Sequence, residues 1–123
     1  MLGHLSFGVD NLDRAARFYD RILAPLGYVR VWANERAVGF GEAGRGDKLA
    51  LFARPGQVAA PGAGFHLAFN APNRAAVDAF HSAALAEGGT DAGPPGPRPN
   101  YGVTYYAAFV VDPDGYKLEA VHQ

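Results

Sequence analysis

One internal repeat constrains this chain more than any other feature. Shifted by 62 residues, His4-Leu5-Ser6-Phe7 falls on His66-Leu67-Ala68-Phe69, Asn11 on Asn73, Phe18 on Phe80, Leu23-Ala24 on Leu85-Ala86 and Gly27 on Gly89. Eight of the 24 positions from His4 to Gly27 are identical in the second copy, and a long period with only two copies points to a duplicated supersecondary unit rather than a solenoid. The two units should be related by pseudo-symmetry. Each opens with a histidine at the same place, so pairing the units brings two imidazoles to equivalent positions, which is enough to begin a metal site.

Each copy reads as β-α-β-β-β. In the first, residues 4 to 9 alternate, with Leu5, Phe7 and Val9 on one face and His4, Ser6 and Gly8 on the other. A helix follows, capped by Asn11 or Asp10, with Leu12, Ala15, Ala16, Tyr19, Ile22, Leu23 and Leu26 in one stripe, and Pro25 and Gly27 end it. Three strands are predicted over Tyr28–Ala33, Ala37–Gly41 and Lys48–Ala53. Proline, glycine and alanine dominate Ala53–Gly64, a linker between modules of about 1–55 and 63–123 within one domain spanning 1–123. The second module repeats the order: a strand over Phe65–Asn70, a helix from Pro72-Asn73 with Val77, Phe80, Ala84 and Leu85 inward, then strands over Thr90–Ala92, Tyr105–Val111 and Lys117–Val121. Gly93–Gly102, with four prolines and Arg98, reads as an ordered loop. Asp112-Pro113-Asp114-Gly115 reads as a tight turn.

Composition narrows the chemistry by exclusion. The absence of cysteine leaves histidine and carboxylate as the strong ligand types. A formal charge of −1 with no run of like charge lacks the footprint of a nucleic-acid binder, and no apolar run is long enough to span a membrane. These features predict a cytoplasmic protein whose partner is a small molecule. If the sheets curl, His4, His66 and Glu119 converge as two imidazoles and a carboxylate, a set that leaves coordination positions open. The alternatives at this point are plain strand histidines, inherited packing and a solvated or salt-bridged glutamate.

The residues resemble the vicinal oxygen chelate superfamily, which includes glyoxalase I, extradiol dioxygenases, fosfomycin-resistance enzymes and the metal-free bleomycin-resistance proteins. The likeness runs through the His4 strand, the helical stretch Ala16-Arg17-Phe18-Tyr19-Asp20-Arg21-Ile22-Leu23, similar to the family's "FY…L", and Asp112-Pro113-Asp114-Gly115-Tyr116-Lys117-Leu118-Glu119, its "DPDG…E" pattern. It implies an α+β fold: two β-α-β-β-β modules whose curved mixed sheets form a cup around a metal and substrate, helices outside. It also implies one divalent metal ion, Fe, Mn, Co, Ni or Zn, on His4, His66 and Glu119.

Departures from individual members refine this expectation. Ala50 stands where glyoxalase I has a fourth ligand, and Gly8 where its bacterial forms carry a glutathione-binding arginine, so both argue against a standard glyoxalase I. Fosfomycin enzymes use a threonine where Ser6 stands and a lysine-bearing loop where Gly93–Gly102 has none. The expectation is therefore a metal-dependent lyase, isomerase or ring-cleaving enzyme acting on vicinal oxygens, with Glu119 catalytic and Ser6, Arg98, Tyr101, Tyr105 and Tyr106 toward the substrate. The alternative is a non-catalytic protein that sequesters an aromatic compound or antibiotic, walled by Trp32, Phe52, Tyr101, Tyr105 and Tyr106. A homodimer with shared sites is expected, because one module offers half a cup and the linker permits exchange.

Overall fold

The computed structural model describes all residues from Met1 to Gln123. The first module runs β1 (Leu5–Val9), α1 (Leu12–Leu23), a 3₁₀ turn (Ala24–Leu26), β2 (Val29–Ala33), β3 (Ala37–Gly41) and β4 (Leu49–Ala53). The second runs β5 (Leu67–Asn70), α2 (Arg74–Ala86), β6 (Thr90–Pro97), β7 (Tyr106–Val111) and β8 (Lys117–His122). Each module folds its own strands into a four-stranded mixed sheet, in the orders β1-β4-β3-β2 and β5-β8-β7-β6. In both, the first strand pairs in parallel with the last and every other pairing is antiparallel. The fold is the expected pair of β-α-β-β-β units.

Several of the repeated residues have the same local jobs. Asn11 Oδ1 accepts from Arg14 N at 3.0 Å and Asn73 Oδ1 from Ala76 N at 2.8 Å, so each asparagine caps its helix. Phe18 and Phe80 are both buried. The two histidines sit one residue ahead of β1 and of β5. Gly27, at φ 91°, supplies the left-handed residue that stops the first helical segment, whereas Gly88 rather than the aligned Gly89 does this after α2, at φ 95°.

Each helix covers one face of its own sheet and the helices also pack on each other. One apolar cluster of 22 buried residues is thereby continuous through both modules, from Val9, Phe40 and Leu51 to Val110, Leu118 and Ala120. The opposite face of each sheet is left free to line a cavity. Leu85 is an exception to the predicted helix stripe, being 43% exposed.

A second correction concerns β6, which continues through Pro97 instead of ending at Ala92, so part of the predicted loop is strand. Prolines are tolerated there because β6 is an edge strand, and its pairing with β7 breaks register at Asp91/Gly93 and Gly93/Gly96.

Candidate metal and substrate site

Alternation along β8 turns Glu119 to the face opposite the apolar core. There it meets His66, whose Nε2 lies 3.0 Å from Glu119 Oε2. The carboxylate is 1% exposed, and a charge so deeply buried requires polar partners. Its other oxygen, Oε1, accepts a short hydrogen bond from the Tyr105 hydroxyl. Burial, followed by the adjoining carboxylate, pushes the Tyr105 phenol up to about 12, so it stays a donor at neutral pH. Tyr105 in turn packs edge-on against Tyr101, with ring centres 5.3 Å apart.

These groups open onto a cavity of about 820 Å³, lined also by Arg98, Asn100, Phe109 and Lys117. Phe109 stands beside Glu119 in the β7–β8 register, with the His66 ring 6.0 Å from its own. Arg98 folds back onto β6, donating to the carbonyls of Pro94, Gly96 and Pro97 at 2.7, 3.0 and 3.4 Å. Phe109 and Lys117 are not metal-ligand types, but strand parity signals both: they fall in the same alternation as Glu119 and Tyr105.

Of the residues expected at the site, His66, Glu119, Arg98, Tyr101 and Tyr105 share this cavity, and His4, Ser6 and Tyr106 do not. Tyr106 is a correction. It has the parity of Ala108 and Val110, and its hydroxyl donates to Asp78 Oδ1 at 2.7 Å while Arg74 lies 4.8 Å from its ring centre, so it belongs to the α2 side. His4 instead borders a smaller apolar groove of about 190 Å³ with Leu5, Leu49, Leu67 and Phe69. Ser6 is exposed on β1. No three histidine or carboxylate side chains come together within one chain.

The first module presents its own free face. Trp32 and Phe52 line a separate cavity of about 720 Å³ with Arg36 and Arg54, sharing no residue with the His66 cavity. The aromatic walls expected together are thus divided between two cavities of one chain.

The comparisons agree with this architecture. A search of curated proteins gives no match. Among solved structures, a glyoxalase/bleomycin resistance protein from Albidiferax ferrireducens is 32% identical, with TM-score 0.82 over 98% of this chain and 96% of that one. A glyoxalase-related enzyme from Fulvimarina pelagi, 23% identical, has TM-score 0.75 over 100% of this chain and 88% of that one, and shares the fold. So does the fosfomycin resistance protein FosX from Mesorhizobium loti, 22% identical, with TM-score 0.72 over 100% of this chain and 92% of that one. With the family pattern matching residues 1–120 as well, the chain belongs to the Glyoxalase/Bleomycin resistance protein/Dioxygenase superfamily.

Proposed function

We propose that the chain is a metal-dependent enzyme of this superfamily, acting on a small substrate through its vicinal oxygens, as a homodimer with shared sites. His66 and Glu119 of one subunit and His4 of the other would hold the divalent cation. The observation that carries the reading is the convergence of His66 Nε2 and Glu119 Oε2 at 3.0 Å, with the second carboxylate oxygen occupied by Tyr105. The donor set suits a borderline divalent ion, and the Tyr105 bond is the outer support such ligands need.

When bound, the cation supplies Lewis acidity to the chelated oxygens. The residues of the chain do the rest. Tyr105 fixes the carboxylate so that Oε2 faces His66, burial keeps water from Glu119, and Glu119 is placed to take up a proton from the substrate. His4 and His66 act as ligands. A cytoplasmic setting accords with a chain in which no helix is long and apolar enough to cross a membrane.

A metal-free sequestering protein is the second reading, favoured by the Tyr101–Tyr105 edge pair and Phe109 in the cavity. Elemental analysis of protein purified without a chelating tag separates the two. About one metal per chain, lost in His66→Ala, supports the enzyme. Full wild-type metal content in His66→Ala overturns the site, and metal-free protein that binds aromatic ligands supports sequestration.

A further inference from the structure

Phe109 lies between two cations. Lys117 Nζ is 5.2 Å from its ring centre and Arg98 Cζ is 5.7 Å from it. Neither cation has a carboxylate within ion-pair distance anywhere in the chain. The only carboxylate lining the cavity is Glu119, already engaged by Tyr105 and His66. Two unpaired cations facing one occupied carboxylate leave the cavity positive, and a bound divalent ion would add to that charge. An anionic partner relieves such a field.

Arg98 is held in place by its surroundings. Its hydrogen bonds to the Pro94, Gly96 and Pro97 carbonyls use three of the five guanidinium donors and leave two. Gly93 and Gly96 make the room: a Cβ on Gly93 would sit 3.3 Å from Arg98 Nη2 and 3.1 Å from Phe109, and one on Gly96 would sit 3.3 Å from Arg98 Nη1. Lys117 differs from its counterpart in the first module. Lys48-Leu49 at the start of β4 corresponds to Lys117-Leu118 at the start of β8, yet Lys48 Nζ donates to the Gly3 carbonyl at 3.2 Å while Lys117 is turned over an aromatic ring.

We infer that Arg98, Lys117 and Phe109 form an oxyanion subsite beside the candidate metal ligands, and that the substrate carries a carboxylate or phosphonate in addition to its chelating oxygens. The inference rests on the proposed function only for the chelating end of the ligand. The subsite itself belongs to this chain alone.

Calorimetric titration with 3,4-dihydroxybenzoate and its methyl ester tests this, because the two share chelating oxygens and ring and differ in the anion. The acid binds the metal-loaded protein about tenfold more tightly or better, the scale of one charge-assisted contact. Lys117→Met abolishes the preference by weakening the acid far more than the ester, while Lys117→Arg restores it; rising salt weakens the acid alone. Equal binding of acid and ester by the wild type overturns the subsite. So does a preference that survives in both Lys117→Met and Arg98→Gln, the lysine variant guarding against loss of the β6 fold on replacing Arg98. 3,4-Dihydroxyphenylphosphonate identifies the anion: tighter binding than the benzoate assigns a phosphonate, equal or weaker binding a carboxylate. If the protein binds no metal, the enzymatic reading fails separately, and the acid-to-ester ratio on metal-free protein still decides the subsite. Absence of binding by either compound in both forms overturns it.

Discussion

Glu119 shows what single residues contribute beyond their own chemistry. A carboxylate 1% exposed is held between Tyr105 and His66, so its orientation is decided by the phenol that takes Oε1. Tyr105→Phe should lower metal affinity by roughly 10- to 100-fold, as for other outer supports of ligands, read by competition with a chromophoric chelator. Its thermal midpoint near neutral pH should also fall, because a buried carboxylate oxygen loses its donor, and unchanged metal affinity would show that Glu119 needs no such support. The phenol also gives a sign. Its folded value, about 12, lies above the ordinary 10, so its contribution to stability is complete below pH 10 and disappears as the pH rises through 12. The pairing of His66 with Glu119 is legible in the sequence, because the repeat offset points to His66 and the alternation of the last strand after the DPDG turn points to Glu119. Tyr106 is misplaced by composition alone: three aromatic residues near one loop look equivalent until β7 parity sends Tyr105 and Phe109 one way and Tyr106 the other.

Elements translate those parities into surfaces, and here the sequence is readable where pattern is regular. Alternation and capping residues locate β1, both helices and β8, because the driving terms are local. β6 is harder to read, since its prolines ordinarily signal a loop and only its edge position, a tertiary fact, permits a strand. In the other sheet, Trp32 lies over Gly39, where a Cβ would fall 2.2 Å from the indole Nε1. A glycine is required by that close approach. Gly39→Ala should displace the ring and cost about 1–3 kcal/mol, the usual range for overpacking. As the only tryptophan, Trp32 reports directly through a shifted emission maximum. Identical emission and stability in Gly39→Ala would mean that the indole does not rest on β3.

At the scale of the whole molecule, the DPDG turn joins the modules as well as starting β8. Asp112 Oδ1 accepts from the backbone N–H groups of Asp114 and Tyr116, and Oδ2 accepts from the Tyr19 hydroxyl on α1 at 2.5 Å. Burial first, then Asp112, holds the Tyr19 phenol well above 10; this contribution to stability is therefore complete below pH 10 and is lost at more alkaline pH. Tyr19→Phe should cost about 1–3 kcal/mol near neutral pH by leaving a buried acceptor underused, read by denaturant unfolding. An unchanged midpoint would remove this clasp from the account.

The same packing separates His4 from the cavity of His66 and Glu119 and leaves the cavities of each chain with no common lining residue. β1 and β5 are both edge strands, and residues of both line the groove that His4 borders. The repeat makes paired modules legible, but it is silent on whether they pair within a chain or between chains, because both arrangements bury the same apolar faces. Complementation decides between them. His4→Ala and Glu119→Ala proteins, mixed, unfolded and refolded together, should recover about one metal site per heterodimer if sites are shared: both defects then fall in one site and the other is intact. If each chain builds its own site, every site in the heterodimer stays defective. Confirmed heterodimers that fail to recover metal binding would therefore refute the shared arrangement, and the parent variants refolded alone supply the baseline of no binding.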